Sequence, residues 1–119
     1  MDKIMIVDDS TFMRKYIKTI LRRAGFQTFI DAANGTEAVE QYVKEKPAVT
    51  LMDITMPGMD GLQALETIIK LDSQAKVVMC TAMSQESIMV RALHTGAKDY
   101  IVKPFQEARV IEAVKKQIG

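Results

Sequence analysis

Apolar positions along the chain fall into five short blocks, separated by longer segments in which they recur every three or four residues. The blocks run Lys3 to Val7, Phe26 to Ile30, Ala48 to Met52, Lys76 to Cys80 and Tyr100 to Val102. They are short and rich in β-branched residues, and read as strands. Ile4-Met5-Ile6-Val7 and Val77-Val78-Met79 are apolar at consecutive rather than alternate positions, which suits parallel strands covered on both faces. The first intervening segment places Phe12, Met13, Tyr16, Ile17, Ile20 and Leu21 on one helical stripe and stops at Gly25. The second opens at Asn34 with Glu37 three residues on, carries Ala38, Val39, Tyr42 and Val43, and cannot continue through Pro47. A third helix carries Leu62, Leu65, Ile68 and Ile69. A fourth runs from Ser84 as N-cap to Gly96, and a fifth carries Val110, Ile111, Val114 and Ile118.

Strand and helix alternate five times. This predicts an α/β fold with a five-stranded, doubly wound parallel sheet in three layers, because parallel neighbours need crossover connections and helices supply them on both faces. Neither a linker nor a second domain interrupts the pattern, so residues 1–119 read as one domain. Such folds bind ligands beyond the carboxyl ends of their strands, where helix N-termini also point. The residues at those ends are Asp8 and Asp9 after the first strand, Asp31 after the second, Asp53 after the third, Thr81 after the fourth and Lys103 after the fifth.

Composition narrows what these residues do. The 119-residue chain is 48% apolar, enough for a core. Sixteen Lys and Arg against fifteen Asp and Glu leave a net charge of +1, which argues against a nucleic-acid partner. No apolar run reaches the length of a membrane span, and Asp8 and Asp9 break any signal-peptide pattern, so the expected location is the cytoplasm with no membrane partner. A single cysteine, Cys80, and a single histidine, His94, disfavour an internal disulfide, a zinc cluster and nucleophile–histidine hydrolysis. Cys80, inside a presumed central strand, reads as a small hydrophobe.

Carboxylates, hydroxyls and lysines remain. Asp8, Asp9 and Asp53 in one pocket repel each other and call for a cation. Oxygen-only ligands favour magnesium, with manganese as a substitute. Taken singly, Asp8 and Asp9 also read as helix caps, Asp53 as a turn residue ahead of Pro57, Thr81 as a turn hydroxyl and Lys103 as loop charge. What points to a site is that acids, hydroxyl and amine all fall at matching ends of separate strands.

The segments IMIVDDS, LMDITMPGMDG, CTAM and KDYIVKPF, in that order, resemble the receiver domain of two-component response regulators over the whole chain. The stand-alone chemotaxis members, the CheY type, are most similar, and share Phe12-Met13-Arg14 at the start of the first helix. The resemblance implies the flavodoxin-like strand order 2-1-3-4-5. It implies that Asp53 is the phosphoacceptor, that Asp9, Asp8, Asp53 and the backbone carbonyl of Thr55 hold magnesium, and that Lys103 and Thr81 stabilise the transferred group. Thr81 would swing toward the phosphoryl group and Tyr100 fill the vacated space. The Lys103-Pro104 bond is often cis in the family, and Thr55 and Met83 stand where the lifetime of the phosphoryl group is tuned. The implied partners are a chemotaxis histidine kinase, the flagellar motor switch protein and a phosphatase. The implied protein is a monomer with no output domain and no external substrate beyond its phosphodonor.

Two surfaces carry alternative readings. Ile88, Met89, Val90, Ala92 and Leu93 make the fourth helix apolar on more than one side. With Tyr100, Gln106 and Arg109 they form either a docking face suited to nine adaptable methionines or a deeper core. Arg14, Lys15 and Lys18 form a basic flank, either an approach for a kinase or phosphatase or plain solvated charge. Three other functions compete. One is the same receiver in a different phosphorelay, or as the receiver half of a transcriptional regulator, against which the end at Gly119 argues. Another is a haloacid-type phosphohydrolase, whose second Asp is replaced by Thr55. The last is a binding module in which Asp53→Ala is silent.

Overall fold

The computed structural model describes residues 2–82 and 85–118. The elements run β1 Lys3–Val7, α1 Thr11–Arg23, β2 Thr28–Ala32, α2 Gly35–Glu45, β3 Val49–Asp53, α3 Gly61–Leu71, β4 Val77–Ala82, α4 Glu86–Thr95, β5 Asp99–Lys103 and α5 Glu107–Ile118. The strands form one parallel sheet in the order β2-β1-β3-β4-β5, as the alternation and the resemblance imply. No helix among the described residues is long and apolar enough to cross a membrane.

Each face of the sheet has its own core. Ile4, Ile6, Val49, Leu51, Val78 and Cys80 point toward α1 and α5 and pack on Ile17, Ile20, Leu21, Val110, Ala113 and Val114. Met5, Val7, Met52, Val77 and Met79 point the other way, onto Ala38, Tyr42, Leu62, Leu65, Ile68 and Ala92 of α2, α3 and α4. The consecutive apolar runs are thus strands buried on both faces.

Two local differences from the sequence pattern have physical causes. β2 begins two residues later than expected because Gly25 and Phe26 finish α1. Gly25 N–H donates to Arg22 O at 3.0 Å and Phe26 N–H to Leu21 O at 3.1 Å, with Gly25 at φ +100°. That is a Schellman closure, in which Phe26 supplies the accompanying apolar contact. The α1 stripe is narrower than its spacing suggests. Ile17, Ile20 and Leu21 are buried, whereas Phe12 is 75% exposed and Tyr16 40% exposed, their rings stacked on the outside with centroids 6.5 Å apart. Val43 of α2 is likewise exposed. The expected α4 cap, Ser84, lies outside the described residues. Gln85 precedes the helix and makes no side-chain capping bond to it.

α4 also settles the apolar-surface alternative in favour of exposure. Only Ala92 is buried, Val90 and Leu93 are exposed, and Ile88 and Met89 are half-buried.

Candidate functional site

The parallel register sets the carboxyl ends of β1, β3, β4 and β5 side by side. Asp8 leaves β1 with its N–H donating to Ala32 O at 3.1 Å, and its Oδ1 accepts the Ser10 N–H at 2.9 Å. The Ser10 hydroxyl accepts the Met13 N–H and starts α1, so Asp8 is buried beneath a helix entrance while Asp9 stays exposed at the rim. Asp53 ends β3 and is also buried. It is locked there by Gly61, whose N–H donates to Ile54 O at 2.8 Å. A Cβ on Gly61 would stand 2.0 Å from the Asp53 carbonyl oxygen, so only glycine lets α3 start this close to the strand end.

Carboxylate oxygens of Asp8, Asp9 and Asp53 lie within 4.8 Å of one another. Lys103 Nζ sits 3.1 Å from Asp53 Oδ1 and 3.6 Å from Asp8 Oδ2, and the Lys103–Pro104 peptide is cis. Burial pushes the Asp53 carboxyl up. Lys103 pulls it down, Asp8 and Asp9 push it further up, and the balance is upward. For Lys103, burial pulls the ammonium down, but the bond to Asp53 and the charges of Asp53 and Asp8 outweigh it and leave the group above its ordinary value. Three acids facing one lysine form a negative, oxygen-only donor set. This is the chemistry that suits a hard divalent cation such as magnesium.

Thr81 is buried at the end of β4, its Oγ1 3.0 Å from Ala82 O and 3.4 Å from Gln85 Oε1. Tyr100 is half-buried against the α2, α3 and α4 side of the core. With Thr81, Ala82, Glu86, Met89 and Val102 it lines an open cleft of about 410 Å³. Thr55 is exposed on the β3–α3 loop and its Oγ1 accepts from Gln85 Nε2 at 2.7 Å. Met83 lies outside the described residues.

Two of the residues singled out in the sequence are held by ion pairs, and Cys80 packs as expected. Asp31 does not join the acidic cluster. It is bonded to Lys18 at 2.7 Å and Arg14 at 3.0 Å, and although burial pushes its carboxyl up, those two cations hold it below its ordinary value. The basic flank is therefore engaged by Asp31, with Lys15 alone of its three residues exposed. Arg109, expected on the docking face, also clamps α5 to β5. It donates to Asp99 Oδ1 at 2.8 Å and Tyr100 O at 2.7 Å, and pairs with Glu112. Cys80 is buried and its thiol is pushed up to about 12 by burial and the nearby Asp53, so it serves packing. Gln85 escaped notice in the sequence because a glutamine before a helix carries no motif.

The chain matches the response regulator receiver domain over residues 4–115. It is 51% identical to the chemotaxis protein CheY of Bacillus subtilis, covering 98% of each chain. It is 48% identical to the chemotaxis protein CheY of Thermotoga maritima, covering 96% of this chain and 95% of that one. Its fold superposes with a TM-score of 0.93 on a CheX-CheY-BeF3-Mg2+ complex from Borrelia burgdorferi, at 37% identity over 99% of this chain and 90% of that one. These matches and the acidic pocket agree, and the chain belongs to the response regulator receiver family of two-component signalling, with CheY-like members as its relatives.

Proposed function

We propose that this protein is a phosphorylation-controlled switch of bacterial chemotaxis. On this reading it takes a phosphoryl group on Asp53 from a chemotaxis histidine kinase in the cytoplasm and then binds the flagellar motor switch. The observation that carries the chemistry is the buried Asp53 carboxylate held between Lys103 and two further acids. An Asp53 oxygen forms the new O–P bond while the P–N bond of the donor phosphohistidine breaks, and the electron pair leaves with the imidazole. Hydrolysis reverses the charge: water attacks phosphorus, the acyl-phosphate P–O bond breaks, and the carboxylate and inorganic phosphate separate.

Phosphoryl transfer asks for positioning and charge stabilisation rather than covalent assistance. Gly61 and the strand register fix Asp53 in place. Lys103 supplies a point charge to the equatorial oxygens, and Thr81 a hydroxyl once it turns from Ala82 O. Magnesium, held by Asp8, Asp9, Asp53 and the Thr55 backbone carbonyl, would supply charge neutralisation for the same oxygens. The reaction is confined to the protein's own phosphorylation and dephosphorylation. Output runs through Tyr100 and the exposed flank of α4, where Met89 and Val90 lie beside the cleft that Thr81 lines. The chemotaxis assignment is supported by near-full-length relatives that carry that name.

The test is intact-mass measurement with borohydride trapping after incubation with acetyl phosphate. Wild type is expected to show one aspartyl carboxyl reduced to the alcohol with loss of the phosphate, a change that needs magnesium, and Asp53→Asn none. A reduction that survives in Asp53→Asn moves the chemistry to another residue.

A further inference from the structure

Gln85 stands where two loops meet and its side chain is fully engaged. The Ala82 N–H donates to Oε1 at 3.1 Å. Because a backbone N–H only donates, this bond fixes which end of the amide is oxygen. Nε2 then falls 2.7 Å from Thr55 Oγ1. The Thr81 hydroxyl donates to Ala82 O at 3.0 Å and faces the same Oε1 at 3.4 Å. One neutral carbonyl oxygen thus receives a backbone N–H and faces a buried hydroxyl at the end of β4, beside Asp53 on β3. A backbone N–H and a hydroxyl converging on one point are donors that suit a phosphoryl oxygen, and they bind an anionic oxygen more strongly than an amide.

We propose that Gln85 is a positioning residue whose amide oxygen occupies the Ala82 N–H and stands in front of the Thr81 hydroxyl until a phosphoryl group on Asp53 displaces it. The inference rests on the receiver reading above. Displacement has a mechanical consequence. Gln85 ties the β3–α3 loop to the start of α4 through Thr55 without capping the helix itself, and α4 buries only Ala92. Once Oε1 gives up the Ala82 N–H, the Gln85 side chain keeps its bond to Thr55 but loses its hold on the end of β4. The start of α4 is then free to repack while Asp53, Lys103 and the sheet stay fixed. The amide opposes the phosphorylated arrangement in the resting protein and couples its arrival to α4.

The probe is beryllofluoride with magnesium, titrated into wild type, Gln85→Met and Gln85→Glu while amide resonances are followed by NMR. Met keeps the length of the side chain and removes both polar ends. Gln85→Met is expected to bind at about fivefold lower beryllofluoride, the worth of one net neutral hydrogen bond. Its Ala82 amide should exchange faster with solvent than in wild type before any ligand is added. Gln85→Glu keeps the acceptor and adds a negative charge near Asp53, and is expected to need more beryllofluoride than wild type. This opposite sign is a result that general loosening of the loop does not produce. Equal midpoints for wild type and Gln85→Met, or a lower midpoint for Gln85→Glu, overturn the proposal while leaving the receiver reading intact. No binding to wild type, with Asp53→Asn as the control, overturns both.

Discussion

The two faces of the sheet are built from different side chains. Toward α1 and α5 the strands present Ile4, Ile6, Val49, Leu51 and Val78, mostly β-branched and stiff at χ1. Toward α2, α3 and α4 they present Met5, Met52 and Met79 alongside Val7 and Val77, joined by Met56 from the loop after Asp53. Methionine has three rotatable bonds and fills irregular space in more than one way. The helices differ in the same sense. α1 is capped by Ser10 and buries Ile17, Ile20 and Leu21, whereas among the described residues α4 has no side-chain cap and buries only Ala92. Thr81, Tyr100 and α4 belong to the methionine side. The stiff face holds the sheet, and with it the relative positions of Asp8, Asp53 and Lys103. The adaptable face carries the parts that the proposed switch requires to rearrange.

The largest effect that tests this contrast is on stability. Ile20→Ala empties a fully buried branched side chain and is expected to lower the unfolding free energy by about 3 kcal/mol in a urea titration. Met79→Leu, at an equally buried position on the other face, is expected to cost less than about 1.5 kcal/mol, because a swap of similar volume can repack. Equal losses at the two positions would remove the distinction between the faces.

The sequence made the frame legible because the fold depends on signals it displays openly. Consecutive apolar residues such as Ile4 to Val7 mark strands buried on both sides, and the alternation with amphipathic segments leaves a doubly wound sheet as the simplest closure. The strand ends then single out Asp8, Asp9, Asp53, Thr81 and Lys103, and the structure brings the acids and Lys103 within bonding range with Thr81 on the adjacent strand. What pattern alone does not give is partnership. Asp31 and Asp53 both end strands, yet β2 is an edge strand, and Arg14 and Lys18 of α1 reach Asp31 there. Arg109 reads as a free surface cation until Asp99 and the Tyr100 carbonyl are seen to claim it. Phe12 and Tyr16 sit at core spacing but at the edge of the stripe, where they cover each other instead of the sheet. Gln85 joins the end of β4, three residues before it, to a loop thirty residues earlier in the chain, and no local window contains the second relation.

A smaller effect compares the two helix entrances. The Ser10 hydroxyl accepts the Met13 N–H at 3.1 Å, so Ser10→Ala is expected to cost about 1 kcal/mol, the ordinary worth of an N-cap. Ser87, exposed in the first turn of α4, makes no such bond among the described residues. Ser87→Ala is expected to stay within about 0.5 kcal/mol of wild type. A loss at Ser87 as large as that at Ser10 would show α4 to be anchored as firmly as α1.

The smallest effect concerns a lock that α4 does not share with its neighbours on the methionine side. At the end of the sheet away from the acids, the Tyr42 hydroxyl of α2 donates to Asp72 Oδ2 at 2.7 Å, and Asp72 terminates α3. That bond is the chief cause holding the Asp72 carboxyl below its ordinary value of 3.8. On the other side of the pair, burial and then Asp72 push the Tyr42 phenol above its ordinary value of 10.0. A depressed acid contributes stability that is present above its unfolded value and lost as pH falls through its folded one. A raised phenol contributes stability that is present below its unfolded value and lost as pH rises through its folded one. Tyr42→Phe removes both contributions. Its melting temperature is expected to fall by about 2 °C near neutral pH. The gap from wild type should narrow below about pH 4 and above about pH 10, the two ends of the window in which the pair is intact. A gap that stays constant across that range would mean that the hydroxyl is not bonded to Asp72. α2 and α3 would then be as loosely joined at this end as α4 is to its surroundings.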